Sequence, residues 1–175
     1  MTRSYLVRHA EAGDRHAWPD ADELRPLTEE GRRQAEALVV LLADAEIDRL
    51  VSSPYVRCVQ TLEPLAAARG LKVETSPVLA EGAGGRGAVE LLSTDEAFVA
   101  CSHGDVIEEA LDLLAEAGVP LEGRPRGAPQ GAGSSPRGAP QGAGSTQAET
   151  PKGAVWDLDV RDGVIVKGVL LSPPL

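Results

Sequence analysis

Two of the three histidines in the chain directly follow segments that are typical of β-strands. His9 comes after the run SYLVR, which ends in Arg8, and His103 closely follows the apolar run AFVAC. A second arginine, Arg57, lies in the first turn of a helix predicted to begin at Pro54. An imidazole can attack phosphorus as a nucleophile, and guanidinium groups bind phosphate oxygens in pairs. These two histidines and two arginines therefore predict a site for a phosphoryl group.

The elements that would position these residues alternate between strand and helix along the chain. Hydrophobic periodicity and helix stop signals predict strands at 4–8, 48–52, 71–74, 97–101, 154–160 and 164–170, and helices at 28–45, 54–69 and 105–117. This alternation is typical of an α/β three-layer sandwich, in which helices flank a mostly parallel central sheet. Ligands of such sheets bind beyond the carboxyl ends of the strands, where we also expect Ser52 to bind substrate.

A repeated segment interrupts this pattern. The units PRGAPQGAGSS at 125–135 and PRGAPQGAGST at 136–146 contain no Leu, Ile, Val or aromatic residue. A segment rich in Gly, Pro and Ser cannot bury enough apolar surface to offset the entropy lost on ordering. The sequence therefore predicts a single domain over residues 1–175, interrupted by a flexible insert at 122–151.

Composition excludes several classes of partner. The chain of 175 residues has a formal net charge of −10 and 3% aromatic residues, whereas nucleic-acid binding depends on basic and stacking side chains. We therefore expect no nucleic-acid partner. No segment approaches the roughly 20 apolar residues of a membrane span, so we expect no membrane partner and a cytoplasmic location. The two cysteines, Cys58 and Cys101, are expected to be buried and inert rather than catalytic.

Several short motifs, taken together and in order, resemble those of the histidine phosphatase superfamily, also called phosphoglycerate mutase-like. The run LVRHAE at 6–11 is similar to the first histidine motif of that superfamily, and LTEEG at 27–31 to the start of its first helix. SSP at 52–54 with Arg57 resembles the second arginine motif, and SHG at 102–104 resembles the second histidine motif. The compact chain is most similar to the small, SixA-like branch.

The resemblance implies a role for each matching residue. It makes His9 the nucleophile that becomes phosphorylated, while Arg8, Arg57 and His103 bind the phosphoryl oxygens. It also implies a carboxylic acid after the third strand that protonates the leaving group, and Glu81 is at the similar position. Asp105 is the alternative acid. No metal or other cofactor is implied, because the arginines supply the positive charge.

Other residues are expected near the substrate or at the surface. Arg15 stands where mutase-type members often have Asn, and we expect it to bind substrate. The glycine-rich run at 82–87 is expected to form a flap whose Arg86 contacts substrate. His16 is expected in a loop at the entrance. A group of acidic residues is expected to form a solvated face, namely Asp20, Asp22, Glu23, Glu29 and Glu30.

The substrate has two alternatives at this level, a small phosphorylated compound or a phosphohistidine protein. The SixA-like form favours phosphohistidine on a protein. The run from Arg57 to Leu65 also resembles phosphatase domains attached to actinobacterial Nudix nucleotide hydrolases, which favours a nucleotide or another small phosphate ester. A third hypothesis is a catalytically silent phosphate-binding or scaffold module that recruits a partner through the insert.

Overall fold

A computed structural model describes residues 1–124 and 149–171 of the chain. The strands in this part are β1 (Thr2–Arg8), β2 (Arg49–Ser52), β3 (Val73–Thr75), β4 (Phe98–Ser102), β5 (Leu121–Glu122), β6 (Val155–Arg161) and β7 (Val164–Leu171). The α-helices are α1 (Glu29–Leu41), α2 (Val56–Arg69), α3 (Arg86–Leu92) and α4 (Gly104–Glu116). Short 3₁₀ turns lie at Asp22–Leu24 and Pro77–Leu79.

The described strands form one mixed sheet in the order β3-β2-β4-β1-β6-β7-β5. The first four strands in this order are mutually parallel, as predicted. Strand β6 runs antiparallel to both β1 and β7. The tight turn between β6 and β7 accounts for the antiparallel pairing of these two strands, because Asp162 and Gly163 both have positive φ angles, 50° and 72°. Two consecutive left-handed residues are typical of the hairpin turns that join antiparallel strands.

Helices cover both faces of the sheet, which makes the three-layer sandwich. Successive residues of β1 point to opposite faces, so Leu6 packs in the cluster beneath α3 and α4, while Val7 packs in the cluster beneath α1 and α2. Cys58 and Cys101 lie in this second cluster, fully buried and unpaired as a disulfide, as predicted. Strands β1 and β4 are central, so the residues that follow them are held by a rigid core. No helix in residues 1–124 or 149–171 has the length and apolar character required to span a membrane.

Among the helices, the largest differences from the prediction concern α1, α2 and α3. Helix α1 ends at Leu41 rather than at 45, and α2 begins at Val56, two residues after Pro54. Helix α3 was not predicted, since it begins in the glycine-rich run where a flap was expected. Its start lies close against α4, because a Cβ at Gly85 would lie 2.2 Å from the backbone nitrogen of Ala110. The run is therefore part of the helical layer.

The prediction of a flexible insert at 122–151 was too broad at both ends. Glu122 pairs with β7 as part of β5. Thr150 is buried, and its N–H donates to the Glu108 carboxylate at 2.8 Å. The Thr150 hydroxyl also accepts from the indole N–H of Trp156 at 2.9 Å. The repeat at 125–146 lies outside the described residues.

Candidate active site

The two predicted site histidines meet at the carboxyl ends of adjacent parallel strands. In the register of β1 and β4, Arg8 lies opposite Ser102, so the next residue of each chain segment is a histidine. The backbone N–H of His9 donates to the Ser102 carbonyl at 3.0 Å. The ring centroids of His9 and His103 are 5.4 Å apart. The topology therefore brings the two imidazoles together although they are far apart in sequence.

One nitrogen of the His9 ring is held by a backbone carbonyl, and the other has no hydrogen-bond partner among the described residues. Its Nδ1 lies 2.8 Å from the Ala10 carbonyl, which can only accept, so Nδ1 carries the proton. Nε2 therefore keeps its lone pair. Burial lowers the pKa of His9 from its ordinary value of 6.5 to about 3, and the positive charges of Arg57 and Arg8 also lower it. The ring is thus neutral at physiological pH.

The loop after His9 is held in place by Gln34 and Gly31 of α1 and by Thr61 of α2. The Ala10 N–H donates to the Thr61 hydroxyl at 3.0 Å, and the Glu11 N–H donates to the Gln34 side chain at 2.8 Å. Gly31 allows the start of α1 to touch this loop, since a Cβ there would lie 2.0 Å from the Glu11 carbonyl oxygen. These three residues therefore position the backbone around His9.

Arg8 lies against the chain that returns after the insert. Its Nη1 donates to the Thr150 carbonyl at 2.6 Å and lies 3.5 Å from the Glu149 carboxylate. Its Nε is buried and has no hydrogen-bond partner among the described residues. A Cβ at Gly104 would lie 3.0 Å from Cζ of Arg8, so the glycine leaves room for the guanidinium beside the start of α4. Arg8 thus has a free donor at the edge where the histidines lie.

Arg57 is fully buried and is held by two carboxylates. Its Nη1 donates to the Asp22 carbonyl at 2.8 Å, and its Nη2 lies 3.0 Å from the Asp22 carboxylate and 3.4 Å from that of Glu81. Its Nε is buried without a partner in the described part of the chain. The buried Nε donors of Arg8 and Arg57, both without a partner among the described residues, are suited to anionic oxygens.

Asp22 and Arg25 are site residues that the sequence analysis missed. The prediction that Asp22 belongs to a solvated face was wrong, because its carboxylate pairs with both Arg57 and Arg25. Burial alone would raise the pKa of Asp22, but the hydrogen bond from Arg25 and the charge of Arg57 lower it overall. Arg25 also holds the loop after His9, donating to the Ala12 carbonyl at 2.7 Å. The sequence pattern that could have indicated this ion pair is an acidic and a basic residue three positions apart, just before α1.

The two candidate general acids occupy different positions. Glu81 bridges two guanidinium groups, with one oxygen 2.8 Å from Arg15 and the other 3.4 Å from Arg57. Asp105 accepts the backbone N–H of Gly82 at 2.7 Å and so fixes the turn that carries Glu81. Both carboxylates line the same cavity. Glu81 is the one in direct contact with the arginine cluster.

A cavity of about 450 Å³ opens above the histidines. It is lined by Arg8, His9, Gly13, Asp14, Arg15, His16, Arg25, Glu81, His103, Gly104, Asp105, Glu149 and Lys152. His16 is exposed at this cavity, as expected for the entrance. Lys152 and Glu149 were missed because they follow a low-complexity segment. No aliphatic or aromatic side chain other than histidine lines the cavity within the described residues.

Arg57 is fully buried and, like two other residues predicted to bind substrate, does not line this cavity. The other two are Ser52 and Arg86. Ser52 is fully buried, and its hydroxyl donates to the Ser53 carbonyl at 2.8 Å. Arg86 is exposed at the first position of α3 and is absent from the cavity wall. The predictions for these residues rested on strand ends and a presumed flap. In the structure the Ser52 side chain is buried against the backbone, and Arg86 lies in helix α3.

The described residues contain no cluster of three or more His, Cys, Asp or Glu side chains suited to a metal ion. The family model of the histidine phosphatase superfamily (branch 1) matches residues 4–97. The chain belongs to this superfamily. The resemblance and the fold inferred from the sequence are thereby confirmed. The match ends before β4, so the second histidine of the site lies beyond it.

Known relatives add detail to this assignment. The 8-oxo-(d)GTP phosphatase of Mycolicibacterium smegmatis is 31% identical over 97% of this chain, which spans only 48% of that relative. The protein histidine phosphatase SixA in complex with tungstate aligns over 98% of this chain and 97% of its own, with TM-score 0.66 and 19% identity. The α-ribazole phosphatase of Shigella flexneri aligns over 99% and 98%, with TM-score 0.62 and 17% identity. At these identities the two structures demonstrate the shared fold alone.

Proposed function

We propose that the chain is a phosphatase that hydrolyses a phosphomonoester or a phosphohistidine through a covalent intermediate on His9. The observation that carries this proposal is the free Nε2 of a buried, neutral His9 with two arginines nearby. A neutral imidazole has the lone pair that attack on phosphorus requires. Arg8, Arg57 and His103 lie around it and supply donors for the phosphoryl oxygens, whose charge they stabilise in the transition state.

The reaction has two balanced steps. In the first, Nε2 of His9 forms a bond to phosphorus while the bond from phosphorus to the leaving group breaks. Glu81, once protonated, gives its proton to the leaving atom. In the second step water attacks the phosphohistidine, Glu81 accepts a proton from that water, and the nitrogen–phosphorus bond breaks to release phosphate. Glu81 thus acts as a general base in the second step and regains the proton that it gave up in the first.

The test of the nucleophile compares two histidine variants. His9→Ala should abolish hydrolysis of an aryl phosphate together with the acid-labile phosphoryl label on the protein. His16→Ala is the matched control, because it removes an exposed imidazole from the same cavity. Full activity in His9→Ala would refute the proposal. Phosphate binding by the wild type without any turnover would support the silent binding module instead.

The identity of the general acid can be tested through the leaving group. An aryl phosphate has a good leaving group and needs little protonation, whereas an alkyl phosphate depends on it. Glu81→Gln should therefore lower kcat for the alkyl phosphate by about 100-fold more than for the aryl phosphate. Asp105→Asn is the matched control and should affect both substrates equally, since Asp105 positions the turn at Gly82. The opposite pattern would assign the role to Asp105.

The cavity wall supports a polar substrate. Its cationic side chains, Arg8, Arg15, Arg25 and Lys152, are matched in number by the carboxylates Asp14, Glu81, Asp105 and Glu149. The described residues of the wall include no aliphatic side chain and no aromatic one other than histidine, so the wall offers a nucleobase little to contact except imidazole rings such as that of His16. This favours a phosphohistidine protein or a small polar ester.

A nucleotide substrate is the second candidate, favoured by the similarity to the 8-oxo-(d)GTP phosphatase of Mycolicibacterium smegmatis. Measuring kcat/KM for a phosphohistidine protein, sugar phosphates and nucleoside mono-, di- and triphosphates separates these classes. We expect the phosphohistidine protein or a small polar ester to give the highest kcat/KM. A nucleotide with a clear advantage would replace this assignment.

A further inference from the structure

The two nitrogens of the His103 ring face different environments. Nε2 lies 2.8 Å from the hydroxyl of Ser53 on the side of the protein core. Nδ1 lies 3.5 Å from Nη2 of Arg57, on the side of the arginine cluster. Both His103 and Ser53 are almost fully buried, so water does not replace either contact. Since Ser53 covers Nε2, Nδ1 is the nitrogen that can reach a phosphoryl oxygen.

A donor role for Nδ1 depends on where the single proton of the neutral ring lies. The neighbouring Arg57 does not determine which ring nitrogen carries the proton. Its Nη2 has two hydrogens and two carboxylate acceptors, Asp22 at 3.0 Å and Glu81 at 3.4 Å. The 3.5 Å separation from Nδ1 is also long for a hydrogen bond. Nδ1 is therefore free to carry the proton, provided that Nε2 accepts a hydrogen bond from its own neighbour.

Ser53 has the hydrogen that this arrangement requires. Its hydroxyl oxygen can accept the backbone N–H of Tyr55, which lies 3.3 Å away, while its one hydrogen points to Nε2 of His103. The other neighbour of Nε2 is the Cys58 sulfur at 3.5 Å, and a thiol is a weak donor. The Tyr55 ring packs edge-on against the imidazole with centroids 4.6 Å apart, which fixes its orientation.

We propose that Ser53 is a positioning residue whose hydroxyl donates to Nε2 of His103 and so holds the proton on Nδ1, where it serves the phosphoryl group. This inference rests on the proposed phosphatase function. The part assigned to Ser53 differs from the substrate binding expected of its neighbour Ser52, because Ser53 acts through His103. Ser52 itself donates to a backbone carbonyl and does not contact the ring.

Nitrogen-15 NMR of His103 tests the proposal without using activity. Imidazole ¹⁵N shifts distinguish the Nδ1–H tautomer from the Nε2–H tautomer. The spectrum of the full chain should show Nδ1–H, both alone and with orthovanadate as the anionic probe. Ser53→Ala should shift the population toward Nε2–H. A wild-type spectrum dominated by Nε2–H would overturn the inference while leaving the role of His9 intact.

Kinetics provide the second readout. Ser53→Ala leaves a buried ring nitrogen without its partner, and kcat/KM for an aryl phosphate should fall about 10- to 100-fold. Ser53→Thr keeps a hydroxyl and should recover most of the loss. Ser102→Ala is the matched control, because it removes an equally buried hydroxyl that donates to the Leu79 carbonyl at 2.7 Å.

The outcomes separate this inference from the proposed function. Unchanged kcat/KM and an unchanged tautomer in Ser53→Ala, with His9→Ala inactive, would contradict the role of Ser53 alone. An equal loss in Ser102→Ala would mean that any buried hydroxyl at this strand edge has the same effect, which also contradicts it. Activity retained in His9→Ala would instead contradict the proposed function. If Ser53→Thr fails to fold, the wild-type NMR spectrum still decides.

Discussion

The buried imidazole of His9 predicts that acid destabilises the fold through this one residue. Its pKa is about 3 in the folded chain, against an ordinary value of 6.5. Between these two values the unfolded chain binds a proton at His9 that the folded chain does not. Stability is therefore fully present above about pH 6.5 and is lost as the pH falls toward 3.

The magnitude follows from the size of the shift. At about pH 4.5 the unfolded chain gains roughly 2.7 kcal/mol from protonating this imidazole, while the folded chain gains almost nothing. An asparagine at position 9 keeps a side-chain N–H for the Ala10 carbonyl but has no group to protonate. The free energy of unfolding of His9→Asn should therefore improve relative to the wild type by roughly 2 to 3 kcal/mol between about pH 8 and about pH 4.5.

Urea unfolding of both proteins at the two pH values measures this difference directly. The comparison cancels the titration of carboxylates that the two proteins share. His16→Asn is the control, because it makes the same substitution at an exposed position. If the difference in the free energy of unfolding between wild type and His9→Asn is the same at both pH values, the assignment of a neutral, buried imidazole at His9 is refuted.

Three further predictions concern the surroundings of the site. Gly104→Ala should lower kcat/KM about 10- to 100-fold with little change in Tm, because the new methyl would displace the Arg8 guanidinium; kinetics and thermal unfolding of the same sample check this. Deleting 125–146 should change the free energy of unfolding by less than about 1 kcal/mol, as long as Thr150 keeps its contacts, and urea unfolding measures it. Turnover of an aryl phosphate should be the same with and without EDTA, and its loss would indicate a required metal.

The sequence was most informative where a residue's position depends on strand order. His9 and His103 both follow strands of strong hydrophobic pattern, so the α/β alternation alone predicted that they would meet. The same pattern predicted the buried cysteines and the alternation of helices. The antiparallel end of the sheet was less apparent, since the short connection Arg161-Asp162-Gly163 is typical of a hairpin between β6 and β7 but does not indicate that β6 runs antiparallel to β1.

Side-chain direction was the part that the sequence could not provide. Ser52 and Ser53 are adjacent serines at one strand end, yet only Ser53 faces the imidazole. Asp22 looked like one of several surface acids, and its pairing with buried Arg57 depends on a loop that no periodicity describes. Glu149 and Lys152 reach the cavity across a long separation in sequence. Such contacts depend on tertiary packing rather than on local pattern.

The phosphorylated intermediate is the central claim, and one measurement tests it most directly. The protein is mixed with a slowly hydrolysed phosphate ester and quenched in base, which preserves phosphohistidine, and the peptides are then analysed by mass spectrometry. One added phosphoryl group is expected on the peptide that contains His9 in the wild type, and none in His9→Ala. Steady turnover with no phosphoryl group on His9 at any quench time, or a label on another residue, would contradict it.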